Sequence, residues 1–171
     1  MVTHSKDRST VLAAAALVFR AHGYLGTSVQ QLVTATGRSR SSLYGTYGDK
    51  AGLFSATLRW YVQNQLAIDA TETTSMQLRR SLDALRSSSS DVLPCLVVRS
   101  CSELADLPPD AAELLMATME RQWTAFIDSP DGAGAERRGT VALALQYGLA
   151  TLFAAGVPLE ILQDTASAER K

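Results

Sequence analysis

Apolar residues recur along this chain at the three- and four-residue spacing of amphipathic helices. The first helix has one apolar stripe, which consists of Leu12, Ala15, Ala16 and Phe19. Gly23 follows as a C-terminal stop, so this helix is predicted to end near His22. Because no segment shows the two-residue alternation of a strand, the pattern predicts an all-α fold.

Further helices are predicted after residue 50, separated by polar or proline-containing stretches. The helix that begins at Lys50 has an apolar stripe too long to serve a small N-terminal domain alone, so it is predicted to link that domain to the rest of the chain. This stripe consists of Leu53, Phe54, Leu58, Tyr61, Val62, Leu66 and Ile68. Residues 87–90 and 128–134 are predicted to be loops. Residues 142–155 are apolar nearly all round, which indicates burial on several sides.

Residues 27–50 contain the start and stop signals of two short helices joined by a tight turn. Ser28 suits the N-cap of the first helix, and Gln31 can complete a capping box with it. Gly37 can adopt the positive φ of the turn, and Ser39 can cap the second helix. Two capped helices joined by a glycine turn have the geometry of a DNA-binding helix-turn-helix.

The second of these helices leaves most of its side chains available to an outside partner. Leu43 and Tyr44 are its bulky apolar residues, so only a narrow face is predicted to pack inward. The other side chains are arginine forks and short hydroxyls, which suit phosphates and base edges. They are Arg38, Arg40, Ser41, Ser42 and Thr46. Asp49 is predicted to cap the next helix, whose first turn holds Lys50 beside unpaired amides that attract a phosphate.

The first third of the chain resembles the TetR family of transcriptional regulators. The matching positions are, in order, Ala14, Phe19, Gly23, Tyr24, Thr27, Ser28, Val29, Leu32, Gly37, Ser39, Leu43, Tyr44, Tyr47, Lys50 and Leu53. The chain departs from the family pattern at Arg38, where an aliphatic residue is usual, and at Val33, where alanine is usual. Gly45 and Gly48 stand where bulkier residues are common.

The resemblance implies a DNA-binding domain over residues 1–50 and a helical ligand-binding and dimerisation domain over residues 51–171. It further implies a homodimeric repressor that a small, mostly apolar ligand releases from its double-stranded operator. The residues predicted to contact DNA are Thr27, Ser28, Arg38, Ser39, Arg40, Ser41, Ser42, Tyr44, Thr46, Tyr47 and Lys50. In the family the last two long helices pair across a two-fold axis. Small residues would permit such pairing here, namely Gly148, Ala150, Ala154 and Ala155.

The charge is distributed unevenly along a chain of near-neutral net charge. Apolar residues make up 46% of the sequence, which is typical of a globular protein, and the net charge is −1. Residues 1–60 contain seven basic and two acidic residues, giving +5, whereas residues 61–171 give −6. This asymmetry is expected when the N-terminal part alone meets phosphate, although charge also varies by chance along a chain.

Several classes of function and location are disfavoured. Cys95 and Cys101 would lie about 9 Å apart along one helix, too far for a disulfide, which is consistent with a reducing cytoplasm. Neither the cysteines nor the two histidines form a metal-ligand pattern, so no cofactor or metal is predicted. Residues 11–19 resemble a signal peptide, but Arg20 and the continuing helical pattern argue against export. Residues 141–157 are too short to span a membrane.

A binding function is favoured over catalysis because no positioned acid, base, nucleophile or phosphate-binding loop is visible. An adaptable aromatic and thioether lining for a ligand is predicted from Trp60, Tyr61, Cys101, Met116, Met119, Trp123, Phe126 and Tyr147. Core packing is the alternative role for each of them. Two other functions stay open: a thiol sensor that uses Cys95 or Cys101 near Arg99, and a helical ligand-binding or dimerisation protein that no longer binds DNA.

Overall fold

A computed structural model describes residues 3–66, 68, 71–87, 93–130 and 136–168, and every long element in these ranges is an α-helix. In chain order the helices are α1 (Thr3–Gly26), α2 (Val29–Thr36), α3 (Arg40–Tyr47), α4 (Lys50–Asn64), α5 (Thr74–Ser87), α6 (Leu96–Cys101), a short 3-10 helix (Leu104–Asp106), α7 (Pro109–Ile127), α8 (Glu136–Ala154) and α9 (Leu159–Ala168). The predicted all-α fold class is confirmed.

The chain forms two compact units. The first unit comprises Met1–Leu66 and Arg99–Leu115, and the second comprises Ala67–Val98 and Met116–Lys171. This division differs from the predicted boundary at residue 50, because the apolar stripe of α4 packs mainly on α1. The buried residues of α4 include Leu53, Phe54, Leu58 and Val62.

The core of the first unit forms where α1 packs against α2 and α4, and where α3 packs against α2 and α4. The predicted stripe of α1 is buried throughout, from Leu12 to Phe19. Phe19 meets the edge of Phe54, with ring centroids 4.9 Å apart. Leu32 of α2 and Leu43 of α3 complete this core, so each helix of the predicted DNA-binding region contributes an apolar side chain to it.

Gly23 interrupts α1, near the predicted stop at His22. Its φ of 75° and ψ of 179° lie in a region that is essentially restricted to glycine. The non-helical backbone of Gly23 breaks the helix at the predicted stop, and a further short helical turn continues as far as Gly26. The result is a bend that sets the direction in which the chain enters α2.

In the second unit, α5 packs against α8 and α9, and α8 packs against α9. Leu78 and Leu82 of α5 are buried, as are Leu149 and Phe153 of α8 and Leu162 of α9. The predicted loops at residues 87–90 and 128–134 lie largely outside the described residues.

Helix α8 is buried on one side only, in contrast to the burial on several sides that its composition predicts. Val141 is 46% exposed and Leu152 is 47% exposed, and Gly148 and Ala155 are also exposed. Ala150, one of the small residues predicted to face a second protomer, is instead buried within its own unit. Periodicity alone could not separate a face that covers the core from a face that a partner would cover.

Candidate nucleic-acid interface

The caps predicted for the helix-turn-helix segment are present. The Ser28 side chain accepts a hydrogen bond from the Gln31 amide, and the Gln31 side chain accepts one from the Ser28 amide at 2.7 Å. Gly37 ends α2 with a φ of 65°. Ser39 accepts from the Ser42 amide at the start of α3, and the Asp49 carboxylate accepts from the Gly52 amide at the start of α4. Local hydrogen bonds therefore define where each of these helices begins.

The outer face of α3 carries exposed polar side chains. Within Arg40–Tyr47, all of which the structure describes, Leu43 is the buried residue. Arg40 lies over the ring of Tyr44, 5.3 Å from its centroid, and remains exposed. The other exposed side chains of α3 predicted to meet DNA are Ser41, Ser42 and Thr46. Ser39, which precedes them, is exposed too and shares a hydrogen bond with Ser41 at 3.0 Å.

An open groove of about 240 Å³ runs beside this face, between α1 and α3. It is lined by Asp7, Arg8, Val11, Arg38, Ser42, Leu43, Thr46 and Tyr47. Arg38 forms an ion pair with Asp7, and Arg8 lies 5.9 Å from the centroid of the Tyr47 ring. Sequence reasoning missed Asp7 and Arg8, because Asp7 lies 31 residues before Arg38 and only the packing of α1 brings these two residues to the motif.

Lys50 folds back against the backbone. Its Nζ donates hydrogen bonds to the carbonyl oxygens of Tyr24 at 3.0 Å and Thr27 at 3.1 Å, and lies 4.7 Å from the Tyr24 ring centroid. An ammonium has three N–H donors, so one remains beyond these two bonds for the predicted phosphate contact. Lys50 therefore joins the start of α4 to the last turn of α1 and to Thr27, which follows it.

Thr27 occupies a position that does not favour its predicted contact with DNA. The residue is only 2% exposed, and its hydroxyl donates a hydrogen bond to the carbonyl of Gly23. This bond stabilises the bend ahead of α2. Ser28, the next residue, is exposed, but its hydroxyl is engaged with Gln31 in the capping box.

Glu103, from a distant part of the sequence, also contacts the junction between α1 and α2, which is formed by residues 23–27. Its carboxylate accepts hydrogen bonds from the amides of Tyr24 at 2.7 Å and Leu25 at 3.3 Å. Arg99 donates to the carbonyl of His22 at 3.3 Å. Burial, and secondly the charge of Asp49, raise the pKa of the Tyr24 phenol above its usual value. No sequence signal marks Glu103, because its partners are backbone amides exposed by the bend at Gly23.

The predicted ligand lining is divided between the two units. In the first unit, the Trp60 indole N–H donates to Ser9 at 3.0 Å, and the ring lines an open cleft of about 420 Å³ between α1 and α4. Tyr61 is buried and Cys101 is half-buried. In the second unit Phe126 is buried, whereas Met116 is 59% exposed.

The remaining predicted ligand residues lie in the second unit and make polar or partly exposed contacts. The Trp123 indole N–H donates to Thr140 at 3.1 Å, the Tyr147 hydroxyl donates to Gln122 at 2.8 Å, and Met119 is half-buried. A void of about 10 Å³ in this unit is lined mainly by polar side chains. They are Gln77, Arg80, Ser81, Gln122 and Gln146, with Ile68 and Phe126.

Two kinds of feature, a cluster of metal-binding side chains and a membrane-spanning helix, are absent from the described residues. In those parts of the chain, no three histidine, cysteine, aspartate or glutamate side chains are grouped as a metal site would require. Among the helices described there, none combines the length and the apolar character needed to cross a membrane.

Comparison with known proteins relates the N-terminal region to one family. Residues 11–57 match the profile described as bacterial regulatory proteins, tetR family. The uncharacterized HTH-type transcriptional regulator YezE of Bacillus subtilis is 43% identical over 61 residues, which cover 36% of this chain and 31% of YezE. The HTH-type transcriptional repressor AcnR of Corynebacterium glutamicum is 40% identical over 55 residues, which cover 32% of this chain and 29% of AcnR. The chain thus spans less than a third of each relative's length.

A solved structure extends the likeness to nearly the whole chain. The TetR family transcriptional regulator CifR, as a cysteine mutant complexed with 26-bp double-strand operator DNA, is 27% identical. The match has a TM-score of 0.73 and covers 93% of this chain and 92% of CifR. The helices that follow the N-terminal motif therefore share the fold of that regulator.

Proposed function

We propose that this chain, a member of the tetR family of bacterial regulatory proteins and therefore a DNA-binding transcriptional regulator, acts as a homodimeric repressor. The observation that carries the proposal is the outer face of α3. A helix with one buried side chain, capped by Ser39 and bearing exposed arginine and hydroxyl groups, is suited to the major groove. Members of this family are regulators and not enzymes.

The contacts are proposed to divide between base edges and phosphates. Arg38, Arg40, Ser41 and Thr46 are assigned to base edges or nearby phosphates. Arg40, Ser41 and Thr46 are exposed, and Arg38 and Thr46 line the groove beside α3. Ser28, Tyr44, Tyr47 and Lys50 are assigned to the DNA backbone, whereas the buried Thr27 is assigned to the bend ahead of α2. The net charge of +5 over residues 1–60 favours this approach, and the net −6 over residues 61–171 keeps the remainder away from phosphate.

Similar proteins support repression and operator binding. AcnR is a repressor, and CifR was solved with operator DNA. A single short recognition helix contacts few base pairs, so useful affinity needs a second half-site about 34 Å away and hence a second protomer.

The exposed face of α8 supports a dimer through this helix. Val141, Ala144, Gly148, Leu152 and Ala155 recur at three- and four-residue spacing and are all exposed. A stripe that combines small and large apolar residues suits close packing against its own copy in a two-fold interface. Leu152→Glu should therefore yield monomers in analytical ultracentrifugation, whereas Met76→Glu, at an exposed apolar position of α5, should leave dimers intact.

A small molecule held in the second unit is proposed to release the DNA. The void there measures only about 10 Å³, room for about one water, so the helices around it would have to move apart to admit an effector. Phe126 would then offer an apolar wall, and Gln77, Gln122 and Gln146 would offer hydrogen-bonding groups. Binding would favour a spacing of the two DNA-binding regions that no longer matches the half-sites. A compound that acts in this way should raise the melting temperature and weaken operator binding in the same concentration range.

The test of DNA recognition is selection of duplexes from a randomised library by the full-length protein. We expect an enriched, two-fold symmetric sequence. Arg40→Ala should weaken binding to it by about 1–3 kcal/mol and relax the preference at one base pair per half-site. Arg59→Ala removes the same charge from an exposed position of α4 and is the matched control. Uniform weakening across sequences would assign Arg40 to phosphate, and the absence of enrichment would favour a binding protein that no longer uses DNA.

Thiol sensing is a second candidate function. Cys101 is half-buried and lies two residues before Glu103. The Glu103 carboxylate accepts a hydrogen bond from the Tyr24 amide, just ahead of the helix-turn-helix. Modification of this thiol would displace the segment that carries Glu103. If a Cys95→Ser, Cys101→Ser double variant releases DNA under oxidants just as the unaltered protein does, thiol sensing is excluded.

A further inference from the structure

The ion pair between Asp7 and Arg38 places a carboxylate on the surface that is proposed to meet DNA. Asp7 lies near the start of α1, and Arg38 lies in the turn between α2 and α3. Their side chains are 51% and 41% exposed, respectively. A surface ion pair of this kind contributes little to the stability of the fold. Fold stability is therefore a weak reason for placing these two groups together.

The surroundings of the pair point to a role in recognition. Both side chains line the groove that also contains Ser42 and Thr46 of α3. A carboxylate here repels the phosphates of any duplex that the groove approaches, whatever its sequence. Asp7 is therefore expected to lower the affinity for DNA of any sequence, and this loss would be offset if Asp7 improves a contact that depends on the base sequence.

Asp7 restricts a side chain that is otherwise mobile. An arginine side chain has many rotamers and loses much of this freedom when it binds. The Asp7 Oδ1 atom engages one terminal nitrogen of the Arg38 guanidinium, which has five N–H donors in a fixed plane. The donors that Asp7 does not use stay available in a defined direction, and two of them can meet O6 and N7 of a guanine.

We propose that Asp7 is a positioning residue that orients Arg38 toward a base edge, with guanine as the matching base, and that its charge also disfavours non-specific DNA. This inference rests on the proposed function as a DNA-binding repressor. It adds the Asp7–Arg38 pair, which joins α1 to the helix-turn-helix, to the α3 residues that discriminate between DNA sequences. The opposite role would be sequestration, in which Asp7 keeps Arg38 away from DNA.

The experiment compares two duplexes, the sequence that the full-length protein enriches from a randomised library and a scrambled version of it. Asp7→Asn should weaken binding to the enriched duplex about 3–10-fold and tighten binding to the scrambled one, so the ratio of the two affinities falls. Asp106→Asn removes a charge from an exposed carboxylate in the 3-10 helix and is the control. It should leave the ratio unchanged.

A double-mutant cycle with Arg38→Ala separates positioning from general electrostatics. If Asp7 acts through Arg38, Asp7→Asn should not weaken binding to the enriched duplex further once Arg38 is alanine. Both single variants should relax preference at the same base pair in repeated selections. Melting temperatures should stay close to that of the unaltered protein, since both positions are exposed.

Each of the other possible outcomes would contradict a specific part of the proposal. Tighter binding of Asp7→Asn to both duplexes by the same factor would show sequestration and overturn positioning. Weakening that persists in the Arg38→Ala background, or relaxation at a different base pair, would overturn the link to Arg38. If the unaltered protein enriches no sequence, the proposed function fails and this inference with it. If it enriches one and Asp7→Asn leaves the affinity ratio unchanged, the inference alone fails.

Discussion

The outer face of α3 and the junction between α1 and α2 differ in how their polar groups are used. On α3, Arg40, Ser41 and Thr46 are exposed, and Arg40 and Thr46 contact residues of the same helix. At the junction, Glu103 accepts hydrogen bonds from two backbone amides and Lys50 donates to two backbone carbonyls. One surface is available to a partner, and the other is occupied in holding the chain together.

This difference shows that a basic residue in a DNA-binding motif can have a role inside the protein. Arg40 and Lys50 lie ten residues apart, and their residue types alone suggest the same contact with phosphate. Lys50 lies against carbonyl oxygens, while Arg40 lies over a ring on the exposed side. The junction should therefore govern stability, and the face of α3 should govern affinity for DNA.

Gly23→Ala should produce the largest loss of stability, because the junction is built around the backbone of Gly23. Its φ of 75° and ψ of 179° strain any residue with a Cβ, and that Cβ would lie 2.5 Å from a carboxylate oxygen of Glu103. We expect the free energy of unfolding to fall by about 2–4 kcal/mol. Urea denaturation followed by circular dichroism measures this as a lower midpoint at an unchanged slope.

Gly45→Ala is the matched control on the opposite surface. Gly45 lies within α3, and nothing lies within 4 Å of the position its Cβ would take. Alanine in an open helical position should stabilise the protein by about 0.5–1 kcal/mol. If both variants lose similar stability, the contrast between a constrained junction and an open recognition face would be wrong.

Lys50→Met should reduce stability by an intermediate amount. The substitution keeps an apolar stem and removes the ammonium that donates to the Tyr24 and Thr27 carbonyls. Bonds from a charged donor contribute about 1.5–3 kcal/mol, part of which the relaxed carbonyls recover from water, so a loss of about 1–2 kcal/mol is expected. The proposed phosphate contact adds a second expectation, that the salt slope of DNA binding falls by about one per protomer.

Arg59→Met removes a positive charge from an exposed position of the same helix. It should change neither the unfolding free energy nor the salt slope by a measurable amount. If the Lys50→Met variant is destabilised but has an unchanged salt slope, Lys50 stabilises the junction and does not contact phosphate. A variant with full stability would contradict the importance of the two carbonyl bonds.

Much of the N-terminal fold could be predicted because its determinants are local. Ser28, Ser39 and Asp49 cap helices through hydrogen bonds that span three residues, and Gly37 ends α2 with the positive φ that a tight turn requires. The stripe from Leu12 to Phe19 follows directly from helical periodicity. Each of these features depends on residues that are close in sequence, so the sequence alone contains the information.

The features that could not be predicted depend on contacts between residues distant in sequence. Glu103 lies 79 residues from Tyr24, and Asp7 lies 31 residues from Arg38. Neither carboxylate belongs to a motif, and each is recognised only once folding has placed it beside its partner. Thr27 shows the reverse case, since a residue that matches a family position is buried by the bend that precedes it.

The two N-cap serines should give the smallest losses of stability, and comparing Ser28→Ala with Ser39→Ala sharpens the contrast between the two helices. The Ser28 hydroxyl and amide both bond to Gln31 at the end of α2 that adjoins the junction. The Ser39 hydroxyl accepts from one amide at the start of α3 and meets an exposed serine. We expect a loss of about 1 kcal/mol for Ser28→Ala and a smaller one for Ser39→Ala, measured by urea denaturation without DNA. An equal or larger loss for Ser39→Ala would mean that the start of α3 is held as firmly as the junction, which would contradict its assignment to partner binding rather than to the fold.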